Sequence, residues 1–289
     1  MTSLTEQASA YPSAQPSSRF PTVEWNASTA LVTWLLSVSA IFLTSTGAQL
    51  GWTAWFYLQH DTLPTAADLT TSRSLTLTLI LSTLVAHTVT LAWCWQLIRR
   101  NSPQGWFQTL GLDWCPSLRS RRGLLLVACG FAAPLFLACG AWLERYLPNA
   151  KTDLDRILAQ GPLIRMAIAC VAALSAPLVE EVVYRGVVFG GLQRSVGMPL
   201  TVGLVTLLFF IVHVPQYWGG WAGLTMLALL SLTLTALRAA TGSILPSIVL
   251  HYAFNGIQAI AIVFFWDLVE ASQPTSFVEM PCNFAEKLS

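Results

Sequence analysis

Read from its N-terminus, the chain alternates long apolar runs with short polar breaks, and the runs set its architecture. Seven apolar segments stand out at approximately 29–50, 75–98, 123–143, 162–190, 198–214, 221–237 and 244–268. A helix needs about 20 apolar residues to cross the hydrocarbon core, and most of these runs meet that length. The fourth is longer than one crossing needs, so it is expected to tilt or to project beyond the bilayer. The fifth and sixth are short, with Gly219 and Gly220 marking the turn between them. The expected fold is all-α, a polytopic membrane helix bundle of about seven (six to eight) transmembrane helices. Before it, residues 1–26 are polar and rich in Ser and Pro, which predicts a disordered tail.

Composition agrees with this reading. Of 289 residues, 54% are hydrophobic and 10% charged, far below the quarter or so of charged residues in a soluble domain. A net charge of +1 offers nothing to a nucleic acid. Tryptophans gather near the predicted span ends (Trp52, Trp55, Trp93, Trp95, Trp142, Trp218, Trp221, Trp266), where an aromatic belt would lie. Six cysteines, Cys94, Cys115, Cys129, Cys139, Cys170 and Cys282, form no CxxC pair. The residues Gln104 to Leu112 read either as a short interfacial helix or as a plain connecting loop.

Charge placement orients the bundle. Between the second and third runs lie Arg99, Arg100, Arg119, Arg121 and Arg122 against one acid, Asp113. The positive-inside rule places that loop in the cytoplasm. Alternation then puts the N-terminus, Arg194 and Arg238 on the same side, and the tail with Glu270, Glu279 and Glu286 on the other. The expected location is a bacterial cytoplasmic membrane. By segments, 27–122 holds the first helices and the Arg-rich loop, 123–269 the core that carries the chemistry, and 270–289 a C-terminal tail.

The chemistry begins where charge interrupts the fourth run. Ala176-Pro177-Leu178-Val179-Glu180-Glu181-Val182-Val183-Tyr184-Arg185-Gly186 places three ionisable groups in apolar surroundings. Uncompensated, they would oppose insertion by about 8–10 kcal/mol. Groups at that cost usually line a cavity, a pathway or a catalytic centre. Glu181 and Arg185 are four apart and can pair on one face, while Glu180 is turned about 100° away. One reading is a base (Glu180) beside a neutralised partner. The other is an ion-pair cluster that only locks helices together.

Of four histidines, His60 falls in a polar loop beside Asp61 and reads as a surface residue. His87 sits alone in the second run and reads as an interhelical hydrogen-bonding group. His213 closes the fifth run in Phe209-Phe210-Ile211-Val212-His213, and His251 opens the seventh, four residues before Asn255. His251 and Asn255 therefore project in one direction. Counting from the shared loop near Met198, Glu180 and His213 both lie roughly 21–23 Å deep, so they can be neighbours.

In order and spacing, Glu180-Glu181-x-x-x-Arg185, Phe209-x-x-x-His213 and His251-x-x-x-Asn255 resemble the three motifs of the CAAX-processing and bacteriocin-processing (CPBP) intramembrane endopeptidases. The likeness covers residues 176–256. It implies hydrolysis of a peptide bond in a membrane-associated protein or peptide, with the lipid bilayer as setting and no nucleic acid. Position by position, it implies Glu180 as general base and His213 as the group that orients the water. His251 and Asn255 would donate to the oxyanion, and Glu181 and Arg185 would support the glutamate helix. The family's structural picture is metal-free, so no cofactor is expected; a zinc ion, if used, would fall to Glu180, His213 and His251. Two other functions fit a polar membrane centre: a non-catalytic binding protein, as in bacteriocin immunity or scaffolding, and a proton-coupled transporter. The transporter predicts related halves, and the chain has no internal symmetry.

Overall fold

The computed structural model describes residues 20, 23–112, 121–147, 150–266 and 268. Every element in them is helical. In chain order these are α1 (Ala27–His60), α2 (Ala66–Thr71), α3 (Arg73–Asn101), α4 (Gly105–Thr109) and α5 (Arg122–Leu143). There follow α6 (Asp153–Leu158), α7 (Pro162–Val196), α8 (Met198–His213), α9 (Trp221–Thr241) and α10 (Leu245–Phe264). Six of them, α1, α3, α5, α7, α9 and α10, are long and apolar enough to cross a membrane. Helix α8 has 16 residues, about 24 Å of helix, so it stops short of a full crossing. That shortness puts its last residue, His213, inside the bundle's depth.

Sequence chemistry accounts for the short elements. Helices α2 and α6 each begin with a capping box, Thr65 with Asp68 and Thr152 with Asp155, which satisfies two orphan donors at the helix start. Helix α1 runs on to His60, whose Nδ1 lies 3.0 Å from the Phe56 carbonyl and whose ring stacks on Phe56. The expected polar loop therefore begins one residue later, at Asp61, which takes the left-handed conformation of a helix C-cap. The residues expected to form either a helix or a loop after Gln104 do form α4. Its end is not a surface feature: Leu110 is buried and its carbonyl accepts from the Ile244 amide at 3.3 Å.

Helix α7 departs from regular winding twice. Val171–Ser175 and Glu181–Val188 are π-helical, and the α-helical turn Ala176–Glu180 is suspended between them. The first π segment has a visible cause in the sequence. Pro177 has no N–H to offer the Ala173 carbonyl and its ring crowds that carbonyl, so the turn before it widens. The second carries Glu181 and Arg185 and is buried along its whole length.

Three expectations need correction. The tail assigned to residues 1–26 ends earlier than expected, because Trp25 is buried and donates from Nε1 to the Val187 carbonyl at 3.0 Å. Trp52 and Trp93 are not belt residues: they donate across helices to Ser74 Oγ (2.9 Å) and Thr33 Oγ1 (3.1 Å). Arg238 is no loop charge. It lies in the last turn of α9, 2% exposed. Cys115, Cys282, Asp113, Arg119 and the acidic tail at 270–289 lie outside the described residues.

Candidate active site

The site forms where α7, α8, α9 and α10 meet, and it is built outward from Phe209. This α8 residue is 1% exposed. Its ring meets Tyr184 edge-on at 5.1 Å, stacks with His213 at 4.6 Å and meets His251 edge-on at 6.1 Å. The Arg185 guanidinium lies over it at 4.5 Å. A cation over a desolvated aromatic face is attracted by the ring's quadrupole. Phe209 thereby fixes the relative positions of four side chains, Tyr184, Arg185, His213 and His251, a role that its place in the Phe-x-x-x-His spacing does not announce.

Adjacent glutamates meet opposite fates. Glu181 is fully buried: Oε1 accepts from Arg185 Nη1 at 3.0 Å and lies 2.9 Å from His251 Nδ1. Arg185, equally buried, also donates from Nη2 to the Ser231 carbonyl and hydroxyl at 3.2 Å each, which anchors it to α9. Among the described residues, Glu181 Oε2 and Arg185 Nε make no hydrogen bond. Glu180 keeps its side chain 20% exposed, and among the described residues no arginine or lysine lies within ion-pair distance of it. Its Oε1 lies 3.9 Å from His213 Nε2 and its Oε2 lies 3.6 Å from His251 Nε2.

Hydrogen-bond partners decide which histidine nitrogen carries the proton. His213 Nδ1 lies 2.8 Å from the Phe209 carbonyl, an acceptor only, so Nδ1 is the protonated nitrogen. His251 Nδ1 faces the Glu181 carboxylate, and the same reasoning applies. In the neutral form each ring then turns a bare Nε2 toward a different oxygen of Glu180. Both gaps exceed direct hydrogen-bond length, so a small polar molecule beside Glu180 can meet a carboxylate oxygen and an imidazole together.

Asn255 is one turn beyond His251. It donates from Nδ2 to the Ala172 carbonyl at 2.8 Å, in the first π segment, which leaves its second N–H for another acceptor. His87, from α3, has Nδ1 3.0 Å from Ser175 Oγ and bridges two helices. His60 sits at the far end of α1, in none of these contacts. On the rim, Tyr217 lies in the short 3₁₀ turn Pro215–Tyr217 after α8. Partial burial pushes its phenol above the ordinary value, and the charge of Glu180 adds in the same direction.

Two side-chain types fit a metal, two imidazole nitrogens and one carboxylate. Among the described residues, no group of three or more His, Cys, Asp and Glu is arranged to hold one. Ser231 escaped the sequence reading, and Arg238 entered it only as a flanking charge. Both belong to α9, which carries none of the three motifs. A serine in an apolar helix gives no signal of its own, and an arginine ending an apolar run looks like an ordinary flank.

No curated protein and no solved structure matches the chain. A family model does, over residues 162–257: the one described as Type II CAAX prenyl endopeptidase Rce1-like. The matched stretch runs from the start of α7 to Ile257 of α10. It holds Glu180, Glu181, Arg185, Phe209, His213, His251 and Asn255, and it leaves α1 to α6 unmatched. Over residues 162–257, about a third of the chain, the protein is similar to the type II CAAX prenyl endopeptidase Rce1-like family, a family of proteases, and that stretch is set in a helical membrane bundle.

Proposed function

We propose that the protein is an intramembrane endopeptidase in which Glu180 activates the attacking water. The supporting observation is the pair of histidine Nε2 atoms, at 3.9 and 3.6 Å, set against the two oxygens of a glutamate that pairs with no arginine or lysine among the described residues. Glu180 takes a proton from water as the hydroxide oxygen bonds to the scissile carbonyl carbon. The carbonyl π electrons move onto oxygen. His213 Nε2 accepts the water's other O–H and so fixes its direction. The oxyanion receives the free N–H of Asn255 and, when His251 is doubly protonated, its Nε2–H. On collapse the C–N bond breaks and Glu180 returns its proton to the leaving amine. Glu181 and Arg185 cancel each other's charge and hold His251 by Nδ1.

The substrate on this reading is a peptide or membrane-anchored protein that reaches the bilayer interior. The membrane is the bacterial cytoplasmic membrane, with the N-terminus and the Arg-rich loop inside. The starts of α1 and α8 and the ends of α3, α7 and α9 share that Arg-rich end. This arrangement supports the orientation: the Ala27 amide donates to Ser195 Oγ and the Glu24 amide to the Asn101 carbonyl. The reaction as written uses no metal. As placed, Glu180, His213 and His251 are not arranged to hold a metal; zinc could be held there only if these three side chains drew closer together, and it would then supply a Lewis acid for the water. Dialysis against a chelator leaves the rate unchanged on the metal-free reading; a loss restored by zinc assigns that role to the metal.

The test is a proteome-wide comparison of new peptide termini in cells carrying wild-type protein or Glu180→Gln. Termini that only the wild type generates identify the substrate and the bond. Equal termini, with the cellular phenotype of the variant intact, move the assignment to a non-catalytic binding protein.

A further inference from the structure

The glutamates stand on an unusual support. The turn Ala176–Glu180 hangs between two π segments, and side chains from other elements reach carbonyls in both. In the first, Asn255 Nδ2 donates to the Ala172 carbonyl at 2.8 Å and the Tyr252 hydroxyl to the Leu174 carbonyl at 2.9 Å. In the second, Arg238 Nε donates to the Arg185 carbonyl and Trp25 Nε1 to the Val187 carbonyl, each at 3.0 Å. A π segment has a neighbouring α-helical register one residue away. A slip between the two would rotate Glu181 and Arg185 about the helix axis and carry His251 Nδ1 off its carboxylate.

Trp25 and Arg238 occupy seats shaped for them. The Trp25 ring lies over Gly190 and Gly191; a Cβ on Gly191 would come within 2.9 Å of Trp25 Cδ1 and 2.5 Å of the Asn26 carbonyl oxygen. Arg238 also donates from Nη1 to the Gly242 carbonyl, and its guanidinium lies 5.9 Å from the Phe20 ring and 5.6 Å from the Phe189 ring, which themselves pack together at 6.1 Å. No carboxylate lies within ion-pair distance of it among the described residues. An arginine buried without a counter-ion is costly, and this one satisfies itself on backbone carbonyls, one of them the carbonyl of the ion-paired Arg185. Helix α9 therefore grips Arg185 twice, at its side chain through Ser231 and at its backbone through Arg238, two turns apart.

We infer that Trp25 and Arg238 are positioning residues that hold the π segment Glu181–Val188 in register and so aim the glutamate pair at the two histidines. The inference rests on the peptidase reading of the site. It makes the segment ahead of α1, outside the stretch that matches the protease family, a working part of the active site.

The test uses the full chain in lipid nanodiscs and the substrate identified by wild-type-only termini. Trp25→Phe keeps the ring on its glycine seat and removes the N–H. Arg238→Lys keeps the charge and removes the branched guanidinium. Hydrogen exchange over 181–188 and the steady-state constants are measured for both, with Trp52→Phe as control because it removes a comparable indole bond outside the core that packs on the π segment. The expected result is faster exchange at 181–188 and a fall in kcat on the order of 10- to 100-fold at unchanged KM, with the control unaffected. Wild-type exchange and kcat in both variants overturn the inference, as does a change in one quantity without the other. Should the wild-type protein make no cut that depends on Glu180, the peptidase reading fails. Exchange at 181–188 then decides alone whether the two side chains hold the segment.

Discussion

The pair α1 and α3 and the group α7, α8, α9 and α10 solve the same packing problem with different chemistry. Between α1 and α3 the polar contacts are neutral: Trp93 to Thr33 and Trp52 to Ser74, one donor and one acceptor each. In the second group buried charges stand beside neutral hydroxyls such as Ser231, Thr235 and Ser247, and their atoms are shared. Glu181, Arg185 and Arg238 are all 2% exposed or less, and Glu181 Oε1 alone serves both Arg185 and His251. Neutral interhelical bonds add only about 0.6 kcal/mol each in a membrane. An isolated buried ion costs several kcal/mol before any partner repays it. A bundle that needed only cohesion could be built throughout like α1 and α3, so the charges in the second group point to a task other than cohesion.

Breaking the charged group should have the largest effect. Arg185→Ala leaves Glu181 buried without its cation, and the expected loss is about 3–5 kcal/mol, read from unfolding in a denaturing detergent titration, together with activity. A stable, fully active Arg185→Ala protein would erase the contrast between the two regions. The double replacement Glu181→Gln with Arg185→Met sharpens it: removing both charges should recover most of the stability while cleavage stays absent. Phe209→Ala comes next, at roughly 3–5 kcal/mol for the lost ring, with cleavage falling beyond what folded fraction explains because both histidines lose their common wall. The smallest effect belongs to the neutral pair. Thr33→Val should cost about 0.6 kcal/mol and leave the cleavage rate of the folded protein unchanged. A rate loss there would mean that the first helices tune the site as well as support it.

The sequence carries the fold further than it carries the site. Apolar runs bounded by arginines, glycines and prolines mark each long helix, because span length is fixed by bilayer thickness and any violation would strand polar backbone. The spacing of Glu181 and Arg185 likewise leads to their contact, because residues four apart meet on a helix. Winding is harder to read. Pro177 hints at the first π segment, whereas nothing local marks the second, whose carbonyls are held by Trp25 and Arg238 from remote parts of the chain. Arg238 illustrates the difficulty. Hydropathy places it at a span end, and only the packing of α9 against α7 turns it inward. Trp25 is similar: a tryptophan in a polar, Ser- and Pro-rich stretch reads as tail until its glycine seat, more than 160 residues later, is in place.

The central claim is that Glu180 does the chemistry while Glu181 holds the frame. Its most direct test is the cleavage rate of purified Glu180→Gln in nanodiscs beside the wild type, on the substrate bond found in cells. The substitution keeps the side chain's volume and removes its capacity to take a proton, so the account predicts a folded protein of wild-type stability with no detectable cleavage. Cleavage by Glu180→Gln at the wild-type rate would contradict it and move the base elsewhere.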